Sequence, residues 1–250
     1  MKKISQLTPL MIVALAGGAL IAACQDDSSS SAGTFDAGAD AQFTPPAPVE
    51  DARTPDDVAA PDGAVPDVVD AAVVSADLAK DFSNTLNPNG AWVFGYTSGS
   101  PEGDAGALIL FTTPMASMDV HLWIDPMNVN LNAPTVFHNA STISVNGVAP
   151  GEAGLHPGAV DEYAIARWTA PAAGKYAVKV QFKEGDVGDT NGLLLHNGVV
   201  LVNEVSTSTN AVHDVNVTLA AGDRLEVAVG NKGSFYNDTT PVIFSIRSAP

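Results

Sequence analysis

The amino-acid sequence predicts an all-β fold for residues 74–250, an antiparallel β-sandwich of the jelly-roll type. Short apolar segments recur through this region and are separated by turn-forming Gly, Asn, Pro and Asp. Residues 176–183 alternate between large apolar and small or polar side chains, which is typical of a strand with one buried face. Asn197-Gly198 joins two apolar segments, the strongest short-range signal for a β-hairpin. Because no amphipathic helix longer than two turns is evident, the sequence favours a sandwich of about ten strands.

The remaining elements follow from the same signals. Residues 224–229 repeat the alternation, with Arg224, Glu226 and Ala228 at the positions expected to be solvent-exposed. Further strands are expected near 92–96, 106–112, 118–124, 134–145, 162–169, 212–219 and 241–247. A turn or two of helix is expected near 76–82. Trp92 and Trp168 lie within apolar segments, so both side chains are expected in the core.

Residues 1–23 have the pattern of a secretory signal peptide, with a basic start and an uncharged apolar segment over 9–23. This segment is short for a membrane span, which needs about 20 residues. Ile21-Ala22-Ala23-Cys24 resembles a bacterial lipobox, which implies a diacylglycerol on the Cys24 thiol and cleavage before it. The alternative is an ordinary exported protein with a chance Cys24. Gln25 stands where enterobacterial lipoproteins kept in the inner membrane tend to have Asp, which favours the outer membrane.

Residues 24–73 are predicted to form a disordered tether rich in Asp, Ala and Pro. The segment after Cys24 contains eleven acidic residues against Arg53 alone, and six prolines interrupt any helical or strand period. Charge repulsion and stiff prolines favour an extended, solvated chain, which would hold the sandwich away from a lipid surface. The alternative is an acidic segment that captures cations or a basic partner.

The composition excludes several classes of function. A formal net charge of -17 argues against nucleic acid as a partner, and a single Cys excludes a disulfide framework. The five His lack the spacing of a zinc site, and no nucleophile or phosphate-loop motif is present. Neighbouring acids such as Asp161 and Glu162 leave glycoside hydrolysis as an alternative, but the sequence predicts a protein without catalytic activity.

Residues 118–125 provide the candidate ligand-binding surface. On a strand, one face would carry Met118, Val120, Leu122 and Ile124, and the other Asp119, His121, Trp123 and Asp125. The second face places an indole ring among hydrogen-bonding groups, the combination that sugar recognition uses. The alternative is that Trp123 packs under a neighbouring loop. Tyr236, in a predicted loop, is a further candidate for ligand contact, with packing as the alternative.

Predicted loops also contain candidate ligands for a structural calcium ion. Asp186, Asp189 and Asp238 would supply carboxylate oxygens, which calcium prefers. No calcium-binding loop motif accompanies these residues, so the sequence predicts no cofactor, with a structural calcium ion as the alternative.

A series of short motifs, each occurring once, extends over residues 80–247. It comprises Asp81-Phe82-Ser83-Asn84, Asn87-Pro88-Asn89-Gly90, Leu155-His156-Pro157-Gly158, Arg167-Trp168-Thr169-Ala170-Pro171 and Val217-Thr218-Leu219-Ala220-Ala221-Gly222-Asp223. This order resembles β-sandwich modules of secreted bacterial proteins and is similar to galactose-binding-like and carbohydrate-binding jelly rolls. The resemblance implies the fold, an extracellular setting and, by analogy, a sugar ligand. We therefore expect a lipid-anchored envelope protein that binds glycan without catalysis. The alternatives are a structural or adhesive protein with a protein partner, and a glycosidase or lyase.

Overall fold

The computed structural model of the chain describes residues 73–104, 107–125, 127 and 133–250. The predicted signal peptide and the predicted tether up to residue 72, Cys24 included, lie outside the described residues. Within the described part of the chain, no helix is long and apolar enough to cross a membrane.

The described residues form fourteen strands, with short 3₁₀ helices at Glu102–Asp104 and Thr207–Thr209. The strands are β1 (Ser75–Asp77), β2 (Trp92–Ser98), β3 (Ile109–Leu110), β4 (Thr113–Ser117), β5 (Val120–Ile124), β6 (Thr135–Asn139), β7 (Ala153–His156), β8 (Glu162–Thr169), β9 (Gly174–Phe182), β10 (Asn191–His196), β11 (Val199–Glu204), β12 (Val212–Leu219), β13 (Arg224–Gly230) and β14 (Thr240–Ser248).

Two antiparallel sheets make the sandwich that the sequence predicts. The large sheet has the strand order β12-β9-β14-β7-β6-β5-β4, and β1 also pairs with β14. The small sheet has the order β11-β10-β13-β8-β2-β3. Neighbours in the sheet come from distant parts of the sequence, as in β14, which lies between β9 and β7. The fold class is therefore all-β, with one core between two antiparallel layers.

The core between the sheets is rich in aromatic side chains. Trp168 on β8 meets Tyr176 on β9 edge to face, with ring centroids 5.5 Å apart. Trp92 on β2 meets Phe244 on β14 in the same manner at 5.6 Å. Such pairs contribute about 0.5–1.5 kcal/mol each beyond the burial of their area. The expectation that Trp92 and Trp168 are core residues is confirmed, since both are buried.

The outer face of the small sheet is largely covered, contrary to the wet face expected for 224–229. Glu226 on β13 is buried and forms an ion pair with Arg167 on β8. Ala228 packs with Ile165 and Leu193 in a second apolar cluster. Because β13 lies between β10 and β8, its outward side chains are covered by those of both neighbours. A central strand is buried on both faces here.

The helix expected near 76–82 is wrong, because this segment forms β1 followed by a turn. The Leu78 amide donates to the Phe244 carbonyl at 2.9 Å, and the Leu78 side chain is buried. Nucleating a helix shorter than two turns is unfavourable, so pairing with β14 is preferred.

Strand boundaries differ from the expectation where loops cover the sheet. The strand expected over 134–145 ends at Asn139, whose side-chain amide donates to the carbonyls of Ile143 and Val148, both at 2.8 Å. β4 and β7 were not expected, and β3 is a short part of 106–112. On β7, a Cβ at Gly154 would lie 2.5 Å from the Phe137 ring. Close packing therefore requires glycine at a position that weakens the strand pattern.

Candidate binding groove

The outer face of the large sheet carries exposed polar side chains because β9 and β12 alternate. On β9, Tyr176 and Val178 point into the core, while Lys175 and Lys179 are exposed. On β12, Asp214 and Asn216 are exposed in the same way. The alternation of 176–183 is thus confirmed, and its polar side faces outward.

The strand register arranges these side chains in two rows that cross four strands. In the order β12, β9, β14, β1, the first row is Asp214, Lys179, Ser245 and Asp77. The second row is Asn216, Ala177, Arg247 and Ser75. Directly opposed residues have their Cβ atoms about 4.5–5.5 Å apart. Neighbouring side chains of a row are therefore close enough to contact the same ligand.

These rows line a groove with a volume of about 700 Å³. Ala177 has the smallest side chain of the two rows, so the floor is lowest there. Lys80 and Asp81, which follow β1, form part of the wall. The groove crosses three inter-strand spacings, which is about 14 Å.

Several groove side chains have unused hydrogen-bonding capacity. Within the described part of the chain, Lys179, Asp214 and Arg247 form no side-chain hydrogen bond and no ion pair. Asp77 is occupied at one edge: its Oδ1 accepts the Lys80 amide at 3.1 Å and its Oδ2 lies 3.6 Å from Lys80 Nζ. The centre of the groove can therefore offer a ligand both cationic donors and a carboxylate acceptor.

Trp123 occupies a different environment from the one expected. The side chain is 3% exposed in the core, and its Nε1 donates to the Ser83 carbonyl at 2.6 Å. Trp123 is therefore not available to stack on a sugar ring, which corrects the prediction. The alternative, packing under a neighbouring loop, describes its position.

The reason is that the inner and outer faces of β5 are the reverse of the expected ones. Trp123 belongs to the core between the sheets. Val120, expected in the core, packs outside it with Phe137 and Val148 under the loop that follows β6. Met118 is 81% exposed in the β4–β5 turn. Since both faces of β5 are covered, apolar periodicity could not identify the inner one.

The other three residues predicted with Trp123 do not form one open site. Asp119 lies exposed in the β4–β5 turn with a φ of 61°. His121 is half-buried and faces His138 on β6. Asp125 Oδ2 accepts the Tyr96 hydroxyl at 2.6 Å. Burial, followed by this hydrogen bond, raises the pKa of Tyr96 to about 12.

Tyr236 is the predicted ligand contact that the structure leaves accessible. Its side chain is 72% exposed and rests on Phe235, with ring centroids 4.3 Å apart. The loop between β13 and β14 that carries Tyr236 also contributes Lys232 to a smaller cavity of about 470 Å³. Tyr163 and Asn191 line the same cavity. This second region therefore has an exposed aromatic ring, Tyr236 packed on Phe235, whereas no aromatic residue among those described lines the groove.

The three predicted calcium ligands have different environments. Asp189 is occupied by Lys232 Nζ at 2.5 Å and Ser206 Oγ at 2.7 Å. Asp238 is buried, and its Oδ2 has no hydrogen-bond partner. Burial, reinforced by the charges of Asp189 and Asp186, raises the pKa of Asp238 to about 7. Among the described residues, no three His, Cys, Asp or Glu are grouped closely enough to hold a metal ion. The donors left for calcium are Asp186 and Asp238.

The sequence pattern missed the groove because its residues come from four separate strands. The exposed side of β9 was visible as an alternation, but the position of Asp214 and Arg247 beside it depends on strand order and register. Neither can be read from one sequence.

No protein-family model matches the chain, and no curated protein matches it. Among solved structures, the chain is similar to a CBM51 from Clostridium perfringens GH95 in complex with methyl-galactose. The alignment has 9% sequence identity and a TM-score of 0.32, and it covers 70% of this chain and 100% of that chain. A family 35 carbohydrate binding module from Clostridium thermocellum aligns at 15% identity over 55% of this chain and 100% of that chain, with a TM-score of 0.27. Pika GITRL aligns at 16% identity over 34% of this chain and 72% of that chain, with a TM-score of 0.26. At these scores no functional argument rests on the similarities.

Proposed function

We propose that the chain is a lipid-anchored protein of the bacterial envelope whose β-sandwich binds a glycan without catalysis. The groove on the large sheet is the observation that carries the glycan part of this proposal. Sugar hydroxyls donate and accept hydrogen bonds, and the groove offers both: Asp214 accepts, Asn216 does both, and Lys179 and Arg247 donate. A length of about 14 Å suits an oligosaccharide of a few units.

The spacing of the groove carboxylates favours binding over hydrolysis. Asp214 and Asp77 lie at opposite ends of one row, about 14 Å apart in backbone position. Glycosidases require their two carboxyl groups about 5–9.5 Å apart. Asp81 is nearer to Asp77, but its Oδ2 accepts the Asp77 amide at 2.8 Å and Trp92 Nε1 at 3.1 Å. Its role is to hold the turn after β1.

A glycan-binding screen with matched variants tests the groove. Asn216→Ala is expected to weaken binding of the full chain about fivefold, which corresponds to the loss of about 1 kcal/mol for one hydrogen bond. Asn203→Ala is the control, because Asn203 is also exposed but lies on β11 of the other sheet. Retention of full affinity in Asn216→Ala, or an equal loss in both variants, would contradict the groove as the site. Failure to bind any glycan would favour a structural or adhesive role.

The lipid anchor has its own experiment. The motif Ile21-Ala22-Ala23-Cys24 supports the proposal, since several acyl chains hold a protein on a bilayer far better than one. Cells that express the full chain should incorporate labelled fatty acid into it, and Cys24→Ser should abolish the label. Equal labelling of both forms would refute acylation at Cys24. Fractionation of the labelled protein between inner and outer membranes tests the expected outer-membrane location.

A further inference from the structure

The basic side chains of the described residues divide into paired and unpaired groups. Arg167 pairs with Glu226, Lys183 with Glu152, Lys232 with Asp189 and Lys80 with Asp77. Arg224 also has interaction partners. Lys175, Lys179 and Arg247 form no ion pair and no side-chain hydrogen bond within the described part of the chain. All three lie on the outer face of the large sheet, on β9 and β14.

The sheet holds these three cations around one small residue. Arg247 is directly opposite Ala177, and Lys175 and Lys179 are two positions to either side of Ala177 on β9. Two residues of strand span about 7 Å. The cations thus surround a position where no side chain extends beyond a methyl group.

This arrangement is unusual for so acidic a domain. Residues 74–250 contain seventeen acidic and eight basic residues, so acids are available to neutralise every base. Asp214 faces Lys179 across β12 and β9 but does not pair with it. No acid stands opposite Arg247, whose strand neighbours are Ala177 and Ser75. An exposed cation cluster in an acidic domain attracts anions locally.

We propose that the glycan bound in the groove is anionic, with its carboxylate or sulfate group lying above Ala177 between Arg247 and Lys179, which both line the groove, while Lys175 lies beyond the groove lining and adds positive charge at longer range. This inference rests on the proposed function and specifies the ligand class of the same site. The guanidinium of Arg247 can hold an oxyanion through two parallel hydrogen bonds. The lysines add charge without fixed geometry, and Asn216 and Ser75 bond neighbouring hydroxyls.

Binding of the full chain to matched charged and neutral polymers tests the proposal. The pairs are polygalacturonate with its methyl ester, and dextran sulfate with dextran. We expect at least one charged polymer to bind ten times more tightly than its neutral partner, with an affinity that falls as salt rises. Arg247→Gln and Lys179→Gln should each weaken that binding at least tenfold. Lys232→Gln, which removes the same charge from the β13–β14 loop, should leave it unchanged.

The outcomes separate this inference from the proposed function. Equal affinity for a charged polymer and its neutral partner, unaffected by Arg247→Gln but weakened by Asn216→Ala, would overturn the inference and leave the glycan groove intact. A loss of binding in Lys232→Gln but not in Lys179→Gln would move the site to the loop end and overturn the inference. Absence of binding to all four polymers and to every glycan in the wider screen would overturn both.

Discussion

Among the described residues, Asp238 has the one buried side-chain oxygen or nitrogen without a hydrogen-bond partner. Its side chain is 2% exposed, and Oδ2 has no partner. An unsatisfied buried polar group costs about 1–3 kcal/mol, and a charged one costs more. The carboxyl must therefore carry a proton or contact a cation to be accommodated in the loop between β13 and β14.

Asp238→Asn should stabilise the protein at pH 8 when divalent cations are removed. The pKa of Asp238 is raised to about 7 from 3.8, so the folded state keeps a proton that the unfolded state releases. Stability should therefore fall as the pH rises from about 4 to about 7, and then level off. Asp238→Asn removes this loss, and each kcal/mol regained should raise Tm by about 2–4 °C.

Thermal unfolding between pH 4.5 and 8.5 in a chelating buffer measures this effect. Asp119→Asn is the control, because Asp119 is exposed in the β4–β5 turn and is not among the charges that raise the pKa of Asp238. If the Tm of Asp238→Asn depends on pH as the wild type does, proton binding at Asp238 is not the cause.

Addition of calcium tests whether the ion can neutralise the same residue. Among the described residues, no three metal-ligating side chains are grouped closely enough to hold an ion, so we expect calcium to leave the Tm of the wild type at pH 8 unchanged. A rise in Tm on calcium addition that is lost in both Asp238→Asn and Asp186→Asn would show instead that these two carboxylates bind the ion.

At the scale of elements, the β10–β11 hairpin shows how a local turn is held by a distant one. Asn197 and Gly198 have φ values of 48° and 80°, as a two-residue hairpin turn requires. Asp223 accepts Asn197 Nδ2 at 2.9 Å, and the Arg224 amide donates to Asn197 Oδ1 at 2.9 Å. Hydrogen bonds from Asn197, the Ala220 amide and His196 lower the pKa of Asp223 to about 2.

Gly198→Ala should destabilise the protein by about 1–2 kcal/mol, because an alanine resists a positive φ. Gly174→Ala is the matched control: its added Cβ would have only one ordinary contact, at 3.8 Å from the Tyr176 ring. Urea unfolding of the two variants measures the difference. Equal stabilities would show that the turn conformation is not a significant constraint.

The elements also show which parts of the fold could be predicted. The Asn197-Gly198 turn and the alternation on β9 depend on neighbours in sequence, so local patterns predicted them. The inward position of Trp123 and the burial of Glu226 depend on which loops and strands cover each face. Which loops and strands cover a face is set by tertiary packing. On β5 this packing places Trp123 in the core and Val120 outside it, the reverse of the expected faces. The groove required the order of four strands, which alternation does not contain.

At the scale of the whole molecule, acidity is unevenly distributed. Of the net charge of -17, the eleven acids and one Arg of residues 25–73 account for -10, and residues 74–250 account for -9. The two lysines near the N-terminus supply the difference. The domain is acidic overall, yet its three unpaired cations share one sheet face. The unpaired cations therefore lie on the same sheet face as the groove.

Amide chemical-shift mapping of the full chain with a bound glycan reports directly whether the outer face of the large sheet binds the ligand. We expect the largest shifts at Lys179, Asp214, Asn216 and Arg247 and at their neighbours on β9, β12 and β14. Shifts confined to the loop around Tyr236, or the absence of shifts at saturating ligand, would contradict binding at this face.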